Sequence, residues 1–341
     1  MNALAIQAVG ALTPVGENAR ATVAGLYMDL RTLRDLAVKR ADGQPMTGAA
    51  TPIGDALVGG KRLFELASYA FHDATREVPD GAEIGLAVCA PSPDDEPDFP
   101  GEFPALCARL ASETSLNVVA RASRIFPSGR GAIFEALAFA QSALRAQAAP
   151  AMCVLGVDSL VAKPRLQKLV NDGTAGKEGF VPGEAAAALL LAEKPAVDSL
   201  AILAGFGTAD EPSLGASPAG PNLGKGLGAA IERAALDAKL PRVPIGFVVH
   251  DLPASPAACA ELAWAKGCSV LSVPSELRVL SPADSVGEAG AAMGALALLA
   301  LAFLADKGVV AGPGLCLLST EGARRGAAIL LPSPYRKPSG S

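Results

Sequence analysis

The 341-residue chain is poor in aromatic rings, in histidine and in charge. Phe, Tyr and Trp together make up 4% of it, with one Trp. Its interior must therefore be assembled from Ala, Leu, Val and Gly, which favours close approach of helices to sheets over pockets walled by rings. Charged residues are 18% and the net charge is −5, with no basic stripe anywhere. That excludes the electrostatic footprint of a nucleic-acid binder. Two histidines, His72 and His250, and six cysteines without a CxxC spacing leave no metal-ligand set to write. No cofactor and no metal are expected. The thiols read as reduced, buried residues of a cytoplasmic protein. The first residues carry no charged segment followed by an apolar one, so no secretory leader is read there. The longest uncharged apolar run, 289–305, has 17 residues and stops short of the roughly 20 needed to span a bilayer. Its Ala and Gly content reads as a helix covered on every side, and no membrane association is expected.

What is present is a large apolar fraction, 50%, enough for a sizeable core. At about 150 residues per domain the length suggests two units. Short runs rich in Val, Ile and Leu alternate with longer helical stretches, the pattern of an α/β protein. Strands are expected over 3–9, 84–90, 152–157, 186–192, 200–208, 245–250, 315–319 and 327–331. Helices are expected over 18–26, 60–75, 104–115, 128–147, 224–239, 257–266 and 287–306. The halves echo each other: SGRGAIFEALAFAQSALR, AMCVLGV and EAAAALLLAEK in the first answer GEAGAAMGALALLALAFLADKG, GLCLLST and GAAILLP in the second. Each half thus carries one nearly all-apolar helix followed by two strands. The expected division is 1–194, 195–333 and a flexible tail at 334–341. Residues 90–104 read as an acidic, Pro-rich loop, either solvated or a docking surface carrying Phe99 and Phe103. Residues 210–226 read as a second loop.

GVDSLV at 156–161 and EGFVPGEAAAALLLAEK at 178–194 resemble the β-ketoacyl synthase branch of the thiolase superfamily. FGTAD at 206–210, running on through PNLGKGLGAAIERAAL, is similar to the opening of that family's second half. The resemblance implies a thiolase-like five-layered αβαβα fold built from two pseudo-repeated halves. It also implies a homodimer or a pseudo-symmetric heterodimer. Such synthases carry a nucleophilic Cys before the first buried helix, where the helix dipole favours a thiolate. Two further groups, usually His, assist decarboxylation and hold the oxyanion.

On this alignment Phe126, in Phe126-Pro127-Ser128-Gly129, stands at the Cys position. His250 stands at the first His position, with Glu261-Leu262 at the family's spacing, but the Gly/Thr loop after it is replaced. Asp284 stands at the second His position and Val279 at the site of an upstream Lys. A carboxylate there would oppose an oxyanion. STEGARRG at 319–326 replaces the closing glycine-rich segment. These are vestigial-site positions of a non-catalytic protein. Ser128 reads as a helix N-cap in preference to a substitute nucleophile. Cys89 and Cys153 read as packed strand residues, and His72 as an ordinary helix-face residue. GKGLG at 224–228 lacks the endings of a phosphate loop. Glu184 reads as a buried polar contact that needs a partner.

With VGALTPVGENARATVAGLYMDL at 9–30, the order of the segments, the shortened length and the replaced catalytic positions together resemble divergent ketosynthase-like proteins of bacterial type VI secretion effector clusters. That implies an accessory, chaperone-like factor whose protein partner is a secretion effector or its adaptor. The alternative is a chain-length-factor-like subunit, or a residual acyltransferase or decarboxylase centred on His250, in fatty-acid or polyketide synthesis. Arg121, Arg124 and Arg130 would then supply basic surface for a carrier protein. On either reading no covalent acyl-enzyme forms: incubation with acyl thioesters is expected to leave the intact mass unchanged, and an acyl adduct would restore a nucleophile to the chain.

Overall fold

The computed structural model describes residues 3–40, 43–176, 179–212, 224–240, 244–252, 256–268, 279–309, 312–320 and 322–335. The first half of the chain runs β1 (Leu4–Leu12), α1 (Ala19–Tyr27), β2 (Arg34–Lys39), β3 (Pro45–Gly48) and α2 (Gly59–Thr75). It continues through β4 (Glu83–Cys89), α3 (Phe103–Thr114), β5 (Asn117–Val118), β6 (Arg124–Phe126) and α4 (Ala132–Arg145). It ends with β7 (Met152–Ser159), α5 (Lys163–Asn171) and β8 (Glu184–Ala192). The second half runs β9 (Ala201–Asp210), α6 (Lys225–Ala238), β10 (Phe247–His250), α7 (Pro256–Cys268) and β11 (Val279–Leu280). After it come α8 (Ala283–Val286), α9 (Met293–Asp306), β12 (Gly314–Ser319) and β13 (Arg324–Pro332). Most of the expected 210–226 loop and of the tail lies outside the described residues.

Two compact units result, and neither is one continuous stretch. One collects 1–7, 192–281 and 300–341; the other collects 8–191 and 282–299. In the second unit the sheet order is β1–β8–β7–β4, with β5 and β6 both on the far side of β4. β7 and β8 are antiparallel, whereas β4 runs parallel to β7, β5 and β6. In the first unit the order is β9–β13–β12–β10–β11, with the start of β1 beside β9. β12 and β13 are antiparallel, whereas β10 runs parallel to β12 and β11. The same order and the same strand senses thus occur twice, and the two halves are a structural repeat.

Local chemistry accounts for the elements. Asn18, extended at φ −155°, accepts from the Ala21 amide at 2.9 Å and so starts α1. α2 buries Leu63, Leu66, Ala67, Ala70, Phe71 and Ala74, one stripe of an amphipathic helix. β7 and β8 are buried from end to end, as their unbroken apolar runs require. The expected helix 128–147 begins only at Ala132, and 287–306 only at Met293. Each is preceded by a 3-10 turn, Gly129–Gly131 and Gly290–Ala292, whose first glycine has positive φ, +59° and +45°. An α-helix cannot run back through that conformation.

The hairpin β2–β3 and helix α5 were not expected from sequence. They meet in a small cluster of Val38, Met46 and Leu166. Each segment supplies one fully buried residue to it, too few to print a period on the sequence.

Small residues set the closest contacts. A Cβ added to Gly156 of β7 would stand 3.0 Å from the Ala291 carbonyl and 3.0 Å from the Ala295 Cβ. A Cβ on Gly294 of α9 would stand 2.7 Å from Cγ2 of Ile133 in α4. Gly156→Ala is accordingly expected to destabilise the protein by about 1–3 kcal/mol in urea unfolding. Gly228→Ala, in α6 with open space around it, should instead stabilise it by up to about 1 kcal/mol.

Candidate functional site

The entries to the two buried helices lie side by side in the second unit. β6 delivers Phe126 to the entry of α4, opposite Cys89 of β4. The Phe126 carbonyl accepts from the Ala90 amide at 3.0 Å, and the Ala90 carbonyl accepts from the Gly129 amide at 3.1 Å. These two bonds fix the path of the chain into the turn. The Phe126 ring is buried, 5.6 Å from the Phe139 ring and inclined at 57° to it. The Arg124 guanidinium stands 5.2 Å from the centroid of Phe139, a cation–π contact that closes the stack.

Around this entry the polar groups are tied to one another. Ser128 precedes the 3-10 turn as an N-cap residue does, but its hydroxyl donates to the Glu135 carboxylate at 2.9 Å and makes no capping bond. Arg130, read from sequence as surface charge, is buried and pairs with Glu288 at 3.0 Å. Arg121 and Arg124 remain exposed. Glu288 also accepts from the Gly290 amide at 3.1 Å, so one ion pair joins the entries of α4 and α9. Cys89 and Cys153 are buried, and burial pushes both thiols up, with Glu135 adding to the rise at Cys89. Neither is a reactive thiolate.

Asp158 closes β7 and carries a role the sequence did not reveal. Its carboxylate accepts from the Ser159 amide at 2.8 Å and from the Ala291 amide at 2.9 Å, which caps the turn into α9. Gly290 leaves room for it: a Cβ there would lie 2.0 Å from Oδ2. Burial raises Asp158 to about 7, with Glu288 and Glu96 adding to the rise against the pull of the two amides. Glu184, at the start of β8, has the partner it needs. Its two oxygens accept from Arg62 at 2.6 Å each, from the Thr51 amide at 2.8 Å, and from the Thr51 and Ser159 hydroxyls at 2.7 Å. Arg62, 122 positions away, could not be paired with it by spacing.

His250 belongs to the other unit, at the end of β10 beside Leu317 of β12. Its Nδ1 is buried with no hydrogen-bond partner among the described residues. Burial, then the charge of Lys266, pull the imidazole down to about 4, so it is neutral near pH 7. Glu261 is buried in an ion pair with Arg325 at 2.5 Å. Asp284 is exposed on α8 in the second unit; partial burial raises it, and Arg31 opposes the rise.

The remaining sequence candidates resolve plainly. In the acidic loop Phe99 is buried and packs edge-on to Phe64 at 5.8 Å, while Phe103 is half-buried at the start of α3. These rings anchor the loop and are not displayed for docking. In GKGLG the Gly226 amide donates to Glu211 at 2.8 Å, a bond a phosphate would have to displace. His72 is exposed on α2.

No family sequence profile matches the chain, and no curated protein does either. Solved structures do. One is a type II polyketide synthase acyl-carrier protein in complex with its ketosynthase bound to the hexaketide (AntDE:AntF), with TM-score 0.76 and 14% identity over 96% of this chain and 99% of that one. The fold is that of the ketosynthases. The ishigamide ketosynthase/chain length factor is similar at TM-score 0.69 and 18% identity, over 96% of this chain and 99% of that one. A β-ketoacyl synthase from Burkholderia phymatum is similar at 0.70 and 16%, over 97% and 100%. The thiolase-like fold expected from GVDSLV and GFVPGE is the observed one. Among the described residues no helix is long and apolar enough to cross a membrane.

The two shifted groups act on stability with opposite sign. Asp158 binds its proton more tightly folded, at about 7, than unfolded, near 3.8, so its contribution falls as pH rises across that window. His250 binds its proton less tightly folded, at about 4, than unfolded, near 6.5, so its contribution grows as pH rises between those values. In urea unfolding at pH 4.5 and pH 7, Asp158→Asn is expected to make stability climb more steeply with pH, and His250→Gln to flatten the climb.

Proposed function

We propose that this chain is a non-condensing ketosynthase-fold protein of the chain-length-factor kind, acting in the cytoplasm by association with a ketosynthase or an acyl carrier protein. The observation that carries the reading is Phe126. A buried phenyl ring, locked on Phe139, fills the entry to α4 where the resemblance puts the nucleophilic thiol. Asp284 at the second histidine position and a neutral, buried His250 at the first agree with it, as vestigial-site positions without a condensing role. Removing a nucleophile or base from a working constellation lowers rates by about 10⁴–10⁶.

The similar structures support a protein partner as part of this reading. They include a ketosynthase/chain length factor and a ketosynthase held with its acyl-carrier protein. A homodimer, or a heterodimer with an active ketosynthase, is part of the proposal. Loading of a secretion effector rests on resemblance alone, in residues 9–30, segment order, length and the replaced catalytic positions, and no similar structure named above bears on it. It therefore stands behind the chain-length-factor reading.

Affinity purification of the tagged chain from its native host, with mass spectrometry of the captured proteins, tests the choice. A ketosynthase or acyl carrier protein in near-equal amount is the expected result. A secretion effector or its adaptor in that proportion would overturn it.

A further inference from the structure

The second unit also holds an open depression of about 830 Å³, whose lining includes none of the residues at the entries to α4 and α9. Its size lies within the range of small-molecule sites. It is lined by the turn after β1 with Ala21 of α1, by Thr32, by Arg34 at the start of β2, and by residues 50–55. Pro14, Val15, Pro52 and Ile53 give it apolar walls, and Arg34 and Asp55 stand together on its lining. The Arg34 guanidinium donates to both Asp55 oxygens, at 2.9 and 2.5 Å, a fork that any carboxylate or phosphate could occupy.

Arg34 and Asp55 also line a smaller cavity of about 80 Å³, whose other lining includes Arg62 and Lys163. The ion pair thus borders both spaces. Behind it, Arg62 donates from Nη1 to the carbonyls of Gly54 and Leu57, so the backbone carrying Asp55 is clamped. The Asp55 side chain is 71% exposed and free to swing off Arg34 into solvent.

We infer that the depression binds an amphiphilic organic anion, an alkyl chain bearing a carboxylate or phosphate, whose head replaces Asp55 on Arg34 while its chain lies along Pro14, Val15, Pro52 and Ile53. Asp55 is then a built-in competitor that covers Arg34 when the site is empty. The proposal is independent of the chain-length-factor reading, since the depression contains neither Phe126 nor Asp284.

Competition sets the size of the effect. An exposed ion pair of ordinary strength holds Arg34 occupied only in part, so removing Asp55 should raise the affinity of an anion by about two- to sixfold. The test is calorimetric titration of the full chain at low ionic strength with octanoate, octyl phosphate, octanol and inorganic phosphate. Expected are saturable binding of octanoate or octyl phosphate, tighter binding to Asp55→Asn by that factor, and loss of binding to Arg34→Gln. Preference for octanoate or for octyl phosphate identifies the head group within the proposal. Binding of octanol as tight as that of the anions, saturable binding of inorganic phosphate alone, an unchanged Arg34→Gln, or no saturation with Asp55→Asn would each overturn it. A native circular dichroism spectrum and unfolding midpoint for Arg34→Gln keep its loss of binding from being a loss of fold.

Discussion

One buried carboxylate holds the second unit together at its polar centre. Glu184 gathers donors from the segment before α2, from α2 itself and from the end of β7, all onto the first residue of β8. Taking a carboxylate and a guanidinium out of water costs several kcal/mol per ion, and their attraction offsets this only if the remaining lone pairs and protons are used as well. Here most of them are: Arg62 gives two further donors to carbonyls, and Glu184 takes three further bonds. The arrangement fixes register and orientation more than it adds net stability. Asp158, one residue before Ser159, depends on it for position, and the capped entry of α9 depends on Asp158.

That chain of dependence separates the residues that place the helix entries from the positions the resemblance assigns to chemistry. The residues that place the helix entries are Glu184, Arg62, Asp158, Arg130 and Glu288, none of them at the positions the resemblance assigns to chemistry. Neither the Phe126 nor the Asp284 side chain takes part in the capping of α9 or in the ion pair between the helix entries. The repeat of strand order in both units makes the same point at a larger scale. Hydrogen-bonded order and strand sense recur where the side chains share little beyond size.

Much of the frame could be read in the sequence, and physical reasons separate what could from what could not. Unbroken apolar runs gave β7, β8 and α9, because full burial needs no period to be recognised. GVDSLV and GFVPGE pointed to the fold, and the structure places Asp158, Ser159 and Glu184 of those segments within one hydrogen-bonded network. What stayed hidden was pairing over distance. Arg62 reads as an ordinary helical arginine until Glu184 is folded against it, and Arg130 reads as surface charge until Glu288 covers it. The left-handed glycines that shorten both buried helices lie in runs whose composition alone favours helix. The depression bounded by Arg34 and Asp55 is assembled from segments far apart in the chain, and no spacing in the sequence pairs Arg34 with Asp55.

Alanines are packed into the buried interior at Ala295, Ala297, Ala300 and Ala302 of α9, between leucines, and at Ala185 to Ala188 of β8. This makes the evolutionary path at those positions one-sided. Where a leucine core can lose a methylene here and regain one there, an alanine layer has almost no volume left to give up, so nearly every change enlarges a side chain. Drift is then confined to the outer faces and loops, and the inner layer behaves as a ratchet that admits almost no traffic.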